Sequence, residues 1–190
     1  MIIINSGIIP SDNHFITPFR VSNVDTSVLT VNTDRLFYIP IRIPIACRII
    51  EMGVNVGQVA SASQKMVMGI YDFDIITGNP INLLAQAIGE IELSSGTGYL
   101  SIPIELDLDP GIYYIVYNLK TTAGTRALFK TGSVLSDPIL PFLSPTALAY
   151  TTHKFSTLIY NPTLPTIAPA PTSESTSLAI PNPILKTRVL

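Results

Sequence analysis

Apolar and polar positions alternate along this chain in short bursts. Between Lys65 and Tyr71, Lys65, Val67, Gly69 and Tyr71 fall in one phase and Met66, Met68 and Ile70 in the other. That is the period of a half-buried strand. Leu100, Ile102, Ile104 and Leu106 repeat it, and Gly89-Glu90-Ile91-Glu92-Leu93 alternates as cleanly. Residues 47–56 carry β-branched Ile49, Ile50, Val54 and Val56, and residues 112–119 form a Tyr- and Val-rich apolar run. Phe37-Tyr38-Ile39-Pro40-Ile41-Arg42-Ile43 reads as extended chain. Pro40 and Pro44 cannot donate to a ladder, which predicts an edge strand there. Residues 81–88 fit a short helical turn and a strand equally. No stretch supports a long amphipathic helix.

Turn chemistry separates these bursts. Thr77-Gly78-Asn79-Pro80, Ser94-Ser95-Gly96-Thr97-Gly98, Asp107-Leu108-Asp109-Pro110-Gly111 and Thr121-Thr122-Ala123-Gly124-Thr125 all favour tight reversals. Strands of five to eight residues with turns every ten or so indicate an all-β fold, a sandwich, jelly roll or barrel, of which an antiparallel, jelly-roll-like β-sandwich is the one expected. Residues 1–35 read as an N-terminal arm or adaptor, with Val28-Leu29-Thr30-Val31 its best strand. Residues 36–160 form the sandwich core, with a last strand candidate at residues 150–160. Residues 161–190 form an extended Pro-rich strap ending in a strand at residues 184–190. From residue 133 onward the chain holds nine of its sixteen prolines and no glycine, a composition that favours extended chain over hairpins. Such a strap needs something to lie against. Packing on a neighbour would make assembly the function. Folding back on its own sandwich would point to a self-contained binding module.

Composition sharpens this picture. Apolar residues make up 47% of the 190 and charged residues 13%, against about a quarter in ordinary globular chains. A surface so poorly charged predicts that subunit contacts cover part of it. The net charge is −2 and no run of Lys and Arg exists, which argues against nucleic-acid binding. The N-terminus lacks the basic start and long apolar core of a signal peptide. No apolar run reaches the roughly 18–20 residues of a membrane span. A reducing, cytoplasmic origin is the default expectation.

Candidate chemistry is sparse. The lone Cys47 has no partner for a disulfide and no metal-spaced neighbour, so a buried apolar role is expected. His14 and His153 lie far apart, and no Gly-x-Ser-x-Gly elbow or phosphate loop occurs. Carboxylates recur at i and i+2 in Asp72/Asp74, Glu90/Glu92 and Asp107/Asp109. Such pairs share a strand face and suit a cation or glycoside hydrolysis, but solvated edges and turn caps are the plainer use. No catalytic residue, metal or cofactor is expected. Tyr99, Tyr113, Tyr114 and Tyr117 could stack on sugars if they faced outward; a split between core and rim is the expected arrangement.

Several segments resemble a β-sandwich module of bacteriophage fibre, tail and head-decoration proteins. They are residues 37–44, residues 50–56, Val67-Met68-Gly69-Ile70-Tyr71-Asp72, the Gly78-Asn79-Pro80 turn with Leu83-Leu84, and Leu106-Asp107-Leu108-Asp109-Pro110-Gly111-Ile112-Tyr113-Tyr114. The late Leu164-Pro165-Thr166-Ile167-Ala168-Pro169 before a terminal strand is also similar to that group. The resemblance implies a non-enzymatic virion structural protein, made in the host cytoplasm. It would be a capsid decoration (cement) or fibre-tip subunit, often trimeric, contacting major capsid or tail proteins. Leu164, Pro165, Ile167, Pro169 and Pro171 would then be the assembly strap. The alternative is a glycan- or host-receptor-binding module of a tail fibre, with Tyr99, Tyr113 and Tyr117 as contacts.

Overall fold

A computed structural model describes residues 3–4, 14–17, 20–21, 35–61, 63–120, 127–129, 132–133, 153–175 and 183–190. The described chain is all strand and turn, with no helix. Val28-Leu29-Thr30-Val31 and the turn at residues 121–125 lie outside the described residues.

Two sheets form the body. The first runs in the order β1 (Ile3–Ile4), β2 (His14–Ile16), β15 (Pro183–Val189) and β5 (Cys47–Gln58). β9 (Gly98–Leu108) pairs with β5 on its other side, and β11 (Leu128–Phe129) continues the β15 side, so that Val56 faces both Gly98 and Phe129. The second sheet runs β14 (Ser173–Ser175), β13 (His153–Thr157), β4 (Arg35–Ile43), β10 (Gly111–Lys120), β6 (Lys65–Phe73) and β7 (Pro80–Gln86), with β8 (Ile91–Glu92) also on β6. A two-strand ribbon joins β3 (Arg20–Val21) to β12 (Gly132–Ser133). Every pairing within the two sheets is antiparallel except β1 with β2. The fold is an antiparallel β-sandwich, as the turn spacing predicts.

The main core fills the space between the sheets. Ile39, Ile41 and Ile43 of β4, Met66, Met68 and Ile70 of β6, and Ile115, Tyr117 and Leu119 of β10 meet Ile49, Met52, Val54, Ile104 and Leu185 of the first sheet. Each such side chain contributes about 1.5–3 kcal/mol on burial. The Asp107–Gly111 turn is present, but β9 and β10 lie in different sheets, so it turns a corner of the sandwich.

Several expectations change. β4 is no edge strand along its first half: it pairs with β10 throughout and with β13 from Arg35 to Tyr38. Pro40 falls just past the β13 ladder, where among the described residues β10 alone flanks it. The proline therefore constrains one half of the strand, not its place in the sheet. The ambiguous residues 81–88 resolve as β7, an edge strand with two register shifts against β6. The alternation at residues 89–93 shrinks to the two residues of β8. The terminal strand expected at residues 184–190 forms as β15, and it sits between β5 and β2, the arm's described strand.

β6 departs from its half-buried expectation in a way that leads to the site. Both of its faces are buried. Val67 and Tyr71 point away from the main core into a second cluster with Leu36, Tyr38, Tyr114, Val116 and Leu164. This cluster lies on the outer face of the second sheet, and the Pro-rich strap covers it.

Candidate functional site

The strap crosses the outer face between β13 and β14, both of which belong to the sheet it covers. Its anchor is Leu164, 2% exposed. The notch that receives Leu164 exists because position 69 is glycine: a Cβ there would stand 2.6 Å from Leu164 Cδ1 and 2.9 Å from the Ala85 carbonyl oxygen. Val67, Tyr71 and Leu83 pack around the same side chain.

Polar groups of the sheet read the strap's backbone. The Tyr71 hydroxyl donates to the Pro165 carbonyl, and the Tyr38 hydroxyl donates to the Pro169 carbonyl at 3.0 Å. Gln86 donates through Nε2 to the Pro162 carbonyl at 2.6 Å and accepts from the Leu164 amide at 2.8 Å. Asn118, fully buried, donates to the Leu158 carbonyl and accepts from the Asn161 amide. Further along, the Leu83 amide donates to Thr166 and the Ala168 amide to Ile81, so the strap also pairs with the outer edge of β7. Burial raises both tyrosine hydroxyls above their ordinary range, Tyr38 to about 12 despite its bond with Ser156. Both therefore stay protonated and able to donate at neutral pH.

At the strap's start, the Tyr160 hydroxyl donates to Glu90, whose other oxygen accepts from Lys65 Nζ at 2.8 Å. The Lys65 bond, then the Tyr160 bond, hold the Glu90 carboxyl below its ordinary range.

The strap residues named from sequence therefore serve their own chain here. Leu164, Pro165 and Pro169 contact the sheet directly. Pro171 is partly covered, and Ile167, 70% exposed, points to solvent. Of the two arrangements open to the strap, the single chain shows the one folded back on its own sandwich. The cause is the apolar outer face, which needs covering. Sequence reasoning missed Gly69, Tyr38, Gln86 and Asn118 as the receiving side. Its one available signal was the continuous apolar run of β10, which announces a strand with two buried faces.

The tyrosines do not form an outward platform. Tyr117 is fully buried and stacks on Phe37 with ring centroids 4.9 Å apart. Its hydroxyl has no hydrogen-bond partner among the described residues. Tyr114 is equally buried and donates to the Gly78 carbonyl at 2.6 Å. Tyr113 is half-buried and donates to the Asp109 carbonyl at 3.0 Å. Tyr99 lies on the opposite sheet, edge-on to Phe15 and over Gly53. Tyr117 is thus corrected from a sugar contact to a core residue, and the other two stand on different faces.

The carboxylate pairs are spent locally. Asp72 accepts from the Asn82 amide and side chain. Asp74 accepts from the Ile76 amide at 2.9 Å and from the Thr77 hydroxyl, and these bonds, Thr77 first, lower its pKa. Glu92 accepts from Ser94 and Ser63, and Asp107 takes a two-pronged bond from Arg48 at 2.6 and 2.8 Å. Among the described residues no three His, Cys, Asp or Glu side chains are grouped to hold a metal. Cys47 is buried and its thiol is pushed up to about 11, by desolvation first and Asp107 second, so it is a poor nucleophile. His14 sits on β2 across from Thr187 and His153 on β13 across from Ser175, which places them in different sheets.

Comparison with family models, with curated proteins and with solved structures finds no match to this chain.

Proposed function

We propose that the chain is a non-enzymatic structural module that works through subunit–subunit contacts, as a decoration, cement or fibre-tip subunit of a bacteriophage particle. The strap, folded back on its own sandwich, lends this reading no support; what carries it is a set of large apolar side chains left in water on a sparsely charged molecule. Ile75 and Ile76, at the β6–β7 turn, are 89% and 91% exposed, and Ile88, Ile159 and Ile167 each exceed two-thirds exposure. The turn that presents Ile75 and Ile76 is held by bonds of its own and of a neighbouring strand. Asp74 caps it, Gly78 closes it at φ +67°, and Lys154 Nζ holds Asn79 Oδ1 at 2.8 Å. A pre-ordered apolar tip loses little entropy on docking, which suits a contact surface. The virion assignment rests on the sequence resemblance.

Analytical ultracentrifugation from micromolar to millimolar concentration tests the assembly reading. Self-association is expected, with the trimer favoured, and weakening in an Ile75→Ser/Ile76→Ser chain of unchanged thermal stability. A chain that stays monomeric across that range sinks the reading.

A further inference from the structure

The strap belongs to a unit that occupies one end of the second sheet. Among the described residues β14 pairs with β13 alone, and β13 joins the rest of the sheet through four residue pairs with β4, Arg35 to Tyr38. No strand lies beyond β14 in that sheet among the described residues. The hairpin and its strap, residues 153–175, can therefore leave by breaking that four-pair ladder and the bridge to β7, with the β4–β10 and β10–β6 ladders intact. What they would uncover is a shaped receptor. It has a leucine notch over Gly69, two tyrosine hydroxyls aimed at proline carbonyls, a glutamine amide that clasps one residue's carbonyl and another's amide, and a sheet edge for one bridge. Aromatic-lined grooves that take proline-punctuated chain and sheet edges that take an added extended segment are both established modes of peptide recognition, and this face has features of each.

We propose that this outer face is a binding site for an extended Leu-Pro-x-x-x-Pro segment, and that its occupant between molecules is the residue 153–175 unit of a second copy. The proposal rests on the assembly reading above and gives it a contact. The second copy follows from the fit itself, since every contact made within one chain is available unchanged between two. Chain length permits it: residues 134–152 precede the unit and residues 176–182 follow it. The shorter connection spans about 25 Å when extended, which sets how closely two copies must approach. Pro-rich chain is already restricted before docking, which limits the entropy lost in trans.

The test uses full-length chain carrying Leu164→Asp, which spoils its own strap and leaves the receptor intact. A fluorescent synthetic peptide of residues 158–172 is expected to bind this chain at least about tenfold more tightly than the unaltered chain, whose own strap competes at high effective concentration. Adding Gly69→Ala is expected to remove the gain. Leu164→Ala repeats the measurement if the aspartate disturbs the β signature in circular dichroism. In a second arm, isotopically heavy and light unaltered chains are mixed at high concentration and examined by native mass spectrometry. Mixed oligomers that vanish with Leu164→Asp are expected. No peptide binding by a folded Leu164→Asp or Leu164→Ala chain overturns the site. Peptide binding without mixed oligomers of the unaltered chain overturns the second copy as occupant. Oligomers that persist in the Leu164→Asp chain overturn the exchange while leaving the assembly reading standing.

Discussion

A methyl group on Gly69 would press into Leu164 and the Ala85 carbonyl, and the backbone side of that clash cannot swing away. Overpacking of this kind costs about 1–3 kcal/mol. Gly69→Ala is therefore expected to lower the calorimetric melting temperature and to loosen the strap specifically, seen as faster hydrogen exchange at the Leu164 and Ala168 amides. Tyr117→Phe should act in the opposite direction. It deletes a hydroxyl that is fully buried and has no hydrogen-bond partner among the described residues, so a gain of up to about 1 kcal/mol is expected in chemical denaturation. A sugar-contacting Tyr117 would instead leave stability flat. Neither residue's role was legible in the sequence. Gly69 sits in a clean alternation where a small residue looks incidental. Tyr114 is buried under residues 158–171, far away in the chain, whereas Tyr117 is buried between the two sheets and Tyr113 is only half-covered, and no local pattern tells the three apart.

Among the elements, what local pattern encodes came through and what distant chain encodes did not. The alternations of β6 and β9 and the aromatic run of β10 appear as strands near the expected positions. β4 was misplaced because a proline reports one missing donor, and Pro40 lies where β13 no longer pairs. The strap was legible as extended chain from its prolines, but its landing surface was not, since Gln86 and Asn118 carry no motif. Its tether to Glu90 has a pH consequence. A carboxyl held below its ordinary value contributes stability that is full above about pH 4.3 and is lost as pH falls through the lowered value. Glu90 is partly exposed, so roughly 1 kcal/mol or less is at stake. Acid titration of the thermal midpoint should show this loss in the unaltered chain and a smaller one in Glu90→Gln.

For the whole molecule, the last strand is a keystone of the first sheet. β15 separates β2 from β5 and buries Leu185 in the main core. Removing residues 183–190 is expected to abolish the cooperative transition in scanning calorimetry, where trimming a true appendage would leave it in place. The prolines before β15 suggested a tail, and its short apolar run suggested a closing strand, so sequence supported both and the ladder decides. The low charge content was the most informative global signal. It anticipated apolar side chains in water, although it could not say that Ile75, Ile76 and Ile159 would be among them.

The β2–β15 ladder also has a mechanical reading. The strands run antiparallel with His14 opposite Thr187, so the chain leading into β2 and the chain leaving β15 depart from the same end of the pair. Tension between those two exits opens the ladder one rung at a time, as a zipper opens, instead of shearing all its bonds together. Tension applied across the two sheets meets the interdigitated core instead. The β15–β5 ladder holds β15 on its other side, so the β2–β15 seam is the one loaded in this unzipping geometry first.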